Sequence, residues 1–80
     1  MFGLRSSYRG RTPRMSATVV VIQSPYSSVK NGGVGRVIER KFVGTELEVW
    51  RVSFPGDTFD WWFRPPRFEV NGSPEIKELA

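Results

Sequence analysis

Apolar positions along this chain fall into short runs that alternate with a period of two and are separated by Gly, Pro, Asn and Ser. Residues 17–22, ATVVVI, are a β-branched run and predict a first strand. Residues 24–33, SPYSSVKNGG, carry the turn formers of a loop. A second strand is predicted over 34–43, where Gly35 near the start marks a bulge or a close approach of two backbones. Gly44-Thr45 makes a short turn into a third strand over 47–54, whose Trp50, Val52 and Phe54 share the face directed at the core. Pro55-Gly56-Asp57 is a tight turn, with Pro presetting φ and Gly supplying a positive one. Residues 58–63 form a fourth strand. Arg64-Pro65-Pro66-Arg67 cannot continue it, because two consecutive residues lack a donor. One turn there leads to a short last strand over 68–70, and residues 71–74 end the domain. Residues 75–80 add a frayed helical turn. Five short strands joined by turns predict an all-β fold, a small antiparallel barrel that hides its own edges. The organisation expected is a tail over 1–15, the barrel over 16–72 and a C-terminal extension over 73–80.

Eighty residues hold one small domain. The chain has no Cys and no His, which removes disulfides, thiolate and imidazole metal sites, and every His-based or thiolate catalytic arrangement. Six Phe, three Trp and two Tyr are expected to supply much of the core volume. No apolar run approaches the ~20 residues of a transmembrane helix, and 17–22 is too short for a signal-peptide core.

The formal charge of +4 lies entirely in the N-terminal segment, where Arg5, Arg9, Arg11 and Arg14 meet no acid. Eight basic and eight acidic residues balance from Ser16 onward. The body is neutral and the tail is basic. MFGLRSSYRGRTPRM lacks apolar periodicity and reads as disordered, since it cannot bury enough surface to offset its ordering entropy. Its composition also suits an organelle transit peptide, and a third reading starts the domain near Met15. Apart from such a leader, the chain is assigned to the cytoplasm.

Three stretches carry a family resemblance. Gly33-Val34-Gly35-Arg36-Val37 after a β-branched strand resembles the glycine-containing second strand of KOW-type domains. Phe54-Pro55-Gly56-Asp57-Thr58 resembles the tight hairpin between the middle strands of SH3-like barrels. Trp61-Trp62-Phe63-Arg64-Pro65-Pro66-Arg67-Phe68-Glu69-Val70 is similar to the close of such a barrel: an aromatic strand, a Pro-bearing turn, then a short strand. Similar arrangements occur in small SH3-like accessory subunits of photosynthetic electron-transfer complexes and in Mind-bomb/Herc-type domains. The resemblance covers residues 17–71 and implies a five-stranded SH3-like barrel. It implies a fold more than a function, because SH3-like barrels serve unrelated roles.

Candidate chemistry is sparse. Glu46 and Glu48 share a strand face, and Asp57 and Asp60 flank one turn, but solvated edge and turn carboxylates are the favoured reading of both pairs. Gly32, Gly33 and Gly35 precede no Gly-Lys-Ser/Thr, and Ile38 stands where a dinucleotide fingerprint needs its third Gly. No cofactor, metal or catalytic residue is predicted, and the chain reads as no enzyme. The informative feature is the cluster Phe42, Trp50, Phe54, Phe59, Trp61, Trp62, Phe63 and Phe68, most of it expected in the core. Adjacent Trp61 and Trp62 must point to opposite faces, so one is expected inside and one outside as a partner anchor. In SH3 domains a Trp in a comparable pair lines the ligand groove, which implies a partner site of Trp61 or Trp62 with Tyr26, Arg64 and Arg67. The plainer alternative packs the outer Trp on the loop at Pro25-Tyr26. Arg36, Arg40, Arg51, Arg64 and Arg67 could instead share a face with Trp62 and, with the tail arginines, contact nucleic acid. Against that, Arg51 is placed to pair with Glu39 or Asp60 across strands, and the body carries no net field. The leading expectation is a non-enzymatic module that binds a protein partner as an accessory or regulatory subunit. The alternative is a KOW-like RNA or DNA binder.

Overall fold

The structure is a computed structural model that describes residues 17–79. The expected tail, with Arg5, Arg9, Arg11 and Arg14, lies outside the described residues. Seven strands follow in order: β1 (Thr18–Val21), β2 (Val34–Lys41), β3 (Val49–Ser53), β4 (Trp61–Phe63), β5 (Glu69–Val70), β6 (Ser73–Pro74) and β7 (Ile76–Glu78). No helix occurs among the described residues, and none is therefore long and apolar enough to cross a membrane.

An antiparallel five-stranded sheet is ordered β4-β3-β2-β1-β7, and β5 pairs with β6 in a separate hairpin. Alternation explains its two faces. On the inner face Val19 and Val21 of β1, Val37 of β2, Trp50 and Val52 of β3, Phe63 of β4 and Ile76 of β7 are buried. Val29, from the loop after β1, lies over them, and Ala17, Tyr26, Phe54 and Trp61 pack around the margin. Gly35 allows β2 to lie close to the end of β3: a Cβ there would sit 2.7 Å from the Ser53 carbonyl oxygen and 2.8 Å from the Phe54 ring. The expected close approach is thus at Gly35, while the bulge lies further along, between Val37 and Glu39. The Pro55-Gly56 turn forms as expected, with Gly56 at φ 86° and the Asp57 N–H donating to the Phe54 carbonyl at 3.1 Å. The Pro65-Pro66 turn closes through the Phe68 N–H on the Pro65 carbonyl at 3.0 Å.

Several expectations are corrected. The sheet is not a closed barrel, since β4 and β7 form its two edges and do not pair. One side chain links the segments beside those edges, Glu75 Oε1 accepting the Arg64 N–H at 2.7 Å, while Tyr26, from the loop after β1, donates its hydroxyl to the Trp62 carbonyl. The C-terminal segment is a strand where a frayed helical turn was expected. Asn71 and Gly72, at φ 56° and 82°, make a two-residue primed turn that folds the chain back. β7 then pairs with β1 and delivers Ile76 to the core, so the sheet extends past residue 72. The fourth strand is confined to Trp61–Phe63, and Phe59, 70% exposed, stays outside. Two of the eight rings, Trp50 and Phe63, are fully inside the core, Phe54 and Trp61 pack at its margin, and five valines with Ile76 fill the rest. Phe42 is exposed as well, because β2 ends at Lys41 and Phe42 takes a left-handed conformation, φ 55°.

Candidate functional site

β3 and β4 decide where the two neighbouring tryptophans go. Val52 is opposite Trp61, Arg51 opposite Trp62 and Trp50 opposite Phe63. Residues directly opposite share a face, so Trp61 lies on the inner side with Trp50 and Val52, and Trp62 on the outer side with Arg51. Both rings are half-buried, in place of one core and one surface ring. Trp61 is held by Tyr26, their ring centroids 5.0 Å apart, and its Nε1 donates to Asp57 at 3.2 Å. Tyr26 also meets Phe63 edge-on at 5.5 Å. The Tyr26 loop therefore covers the inner Trp61 ring and bonds only the backbone of Trp62. Burial, with the nearby Glu75 charge adding to it, raises the Tyr26 pKa above its ordinary value.

The Trp62 ring faces cations. Lys41 Nζ lies 5.0 Å from the ring centroid and the Arg51 guanidinium 6.0 Å. Arg51 is fixed by both carboxylates expected for it, Glu39 and Asp60, each at 3.0 Å. The Glu39 hydrogen bond leads the causes that raise the Arg51 pKa. Arg36, on the same face, lies opposite Thr18 and Ser53.

The other arginines are elsewhere. Arg40 turns to the inner side, over the Trp50 ring at 4.1 Å. Arg64 and Arg67 both lie over Phe68, at 4.2 and 4.8 Å. Each also reaches the β2–β3 connection, residues 42–48: Arg64 donates to the Glu46 carbonyl and Arg67 to the Thr45 carbonyl at 3.2 Å. The five arginines proposed for a common face with Trp62 are thus divided among three surroundings, and only Arg36 and Arg51 stand on its side.

Glu48, expected among the solvated carboxylates, is instead buried, 2% exposed. Its phase relative to Trp50 and Val52 was the available signal. One oxygen accepts the Trp50 indole N–H at 2.6 Å, and the other accepts Gly44 N–H at 3.0 Å and Arg67 at 2.5 Å. Burial alone would raise its pKa. The three hydrogen bonds and the Arg67 charge outweigh burial and hold the carboxyl at about 2. This anchor replaces the expected short Gly44-Thr45 turn with a longer connection that presents Phe42, Val43 and Leu47 to solvent.

Asp57 and Asp60, the other carboxylate pair, are bonded to Trp61 and Arg51. Among the described residues no group of three or more acids could hold a metal ion. Compared with known protein families, curated proteins and solved structures, the chain shows no match.

Proposed function

We propose that this chain is an SH3-like binding module, without catalytic activity of its own, that serves as a small accessory or regulatory subunit docking on a protein partner. The fold half of this reading is supported by topology. Four strands run as a meander, a Pro turn follows, and a last strand returns to pair with the first. The edge strands β4 and β7 do not pair, and the Glu75 carboxylate, accepting the Arg64 N–H, joins the segments that flank them.

The binding half is carried by one observation: Trp62 stands half-buried on the outer sheet face, with Lys41 and Arg51 around its ring. A Trp left partly open on a sheet face beside an arginine has the composition of interface anchors. Three of the four carboxylates that a hydrolytic reading would need are engaged in structure, since Glu48 holds Trp50, Asp57 holds Trp61 and Asp60 holds Arg51, which leaves neither candidate pair intact. A nucleic-acid reading draws less support, because Arg51, Arg64 and Arg67 spend their guanidinium groups on Glu39, Asp60, Glu48 and loop carbonyls.

The test is affinity capture from the source lysate with and without nuclease, using wild type and Trp62→Ala. Partners that survive nuclease and are lost with the variant are expected. Loss of every partner on nuclease treatment would move the function to nucleic acid.

A further inference from the structure

The β2 bulge decides which side chains the outer sheet face displays. Val37 is buried opposite Val52, after which Ile38 and Glu39 both face Arg51, the next residue of β3. The phase of β2 is thereby reversed. Arg40 turns inward over Trp50 and Lys41 turns outward over Trp62. In the other direction, Val34 and Arg36 occupy the outer positions of β2, and Val34 lies in one row with Val20 and Lys77.

This face is basic although the body as a whole is neutral. Arg36, Lys41, Arg51 and Lys77 stand on it against Glu39 and Asp60. Both carboxylates are committed to Arg51, and among the described residues Arg36, Lys41 and Lys77 form no salt bridge. Trp62, on the edge strand β4, and the exposed Val34 and Ile38 of β2 share this face with them.

We infer that this face docks on an acidic polypeptide surface, Arg36, Lys41 and Lys77 meeting carboxylates while Trp62, Val34 and Ile38 bury apolar area. The inference rests on the reading of the chain as a protein-binding module and names the chemistry of its partner. Opposite charge on the partner would steer encounter and fix orientation. A polyphosphate suits the face less well. Phosphates and bases bring no aliphatic side chains to cover the exposed Val34 and Ile38, whereas a polypeptide surface does.

The experiment titrates the full chain with poly-L-glutamate and, separately, with oligo(dT) of equal charge, following amide and indole N–H resonances at low and physiological salt. Poly-L-glutamate is expected to shift Arg36, Lys41, Lys77 and the Trp62 indole. The variant Arg36→Gln/Lys41→Gln/Lys77→Gln should weaken its binding about tenfold. Arg36→Lys/Lys41→Arg/Lys77→Arg, which keeps the charges, should bind as wild type does. Shifts confined to residues 1–16, or unchanged affinity in the Gln variant, would overturn the inference and leave the protein-binding reading standing. Tighter binding of oligo(dT) on the same face would overturn both.

Discussion

Replacing Glu48 by Gln tests whether the buried carboxylate, rather than its shape, holds the end of the sheet together. The side chain is 2% exposed and accepts from Trp50, Gly44 and Arg67 at 2.6, 3.0 and 2.5 Å. Its pKa of about 2 against the ordinary 4.5 means that the ionised form interacts more favourably with the fold than the neutral form does. The difference amounts to about 3 kcal/mol, at ~1.4 kcal/mol per pKa unit. Because the folded pKa is depressed, this stabilisation is fully present above pH 4.5 and is lost as pH falls toward 2. Gln keeps the volume but removes the charge, and its amide N–H groups face donors. Glu48→Gln should therefore cost about 3 kcal/mol at pH 7, and the gap to wild type should close as Glu48 itself becomes protonated. Urea unfolding followed by tryptophan fluorescence across that pH range measures both curves. A gap that stays constant with pH, or is missing at pH 7, would refute the argument that ionised Glu48 is what the site stabilises.

Three further outcomes follow from packing. Gly35→Ala should cost at least ~2 kcal/mol by denaturant titration, because the new Cβ would lie 2.7 Å from the Ser53 carbonyl oxygen and neither backbone can move alone. A chain ending at residue 72 should lose its cooperative melt, since it lacks β7 and the fully buried Ile76, and Ile76→Ala alone should cost ~2–5 kcal/mol. Trp61→Ala should cost about 2 kcal/mol through the lost Tyr26 packing, and Trp62→Ala less than about 1 kcal/mol. Equal losses in the two variants would count against their assignment to opposite sheet faces.

Local signals of this sequence read well where backbone chemistry decided the outcome. The β-branched run became β1, the alternation around Trp50 and Val52 set the inner face of β3, and the two Pro-bearing turns formed where Pro and Gly demand them. What failed were positions where two signals conflicted. Glu48 had the phase of a core residue and the charge of a surface one, and three donors met only in the folded chain let phase win. Asn71-Gly72 carries a hairpin signal, yet the flanking Val70 and Ser73 give too short a run to suggest two strands. Once that turn folds the chain back, Ile76 is positioned to pair beside Val21, and strand geometry replaces the expected helical turn. Phe42 and Phe59 show the limit of counting rings, since valines on three adjacent strands already fill the interior that those rings were expected to occupy.

The surface that matters most for the proposed role was hidden for a different reason. Charge summed along the body is zero, and such a sum carries no information about faces. Strict alternation from Val37 would put Arg40 outside and Lys41 inside, which would leave Trp62 without Lys41 over its ring. One extra residue at the bulge reverses that assignment and sets a cation over each of two tryptophans, Arg40 on Trp50 and Lys41 on Trp62. The same residue brings Glu39 opposite Arg51, where it shares the guanidinium with Asp60. A bulge depends on how β2 must bend over β3 to cover the core, a tertiary demand that no local pattern states. The neutral body thereby acquires a basic outer face through register alone, and the face exists only when β1, β2, β3, β4 and β7 are paired in this order.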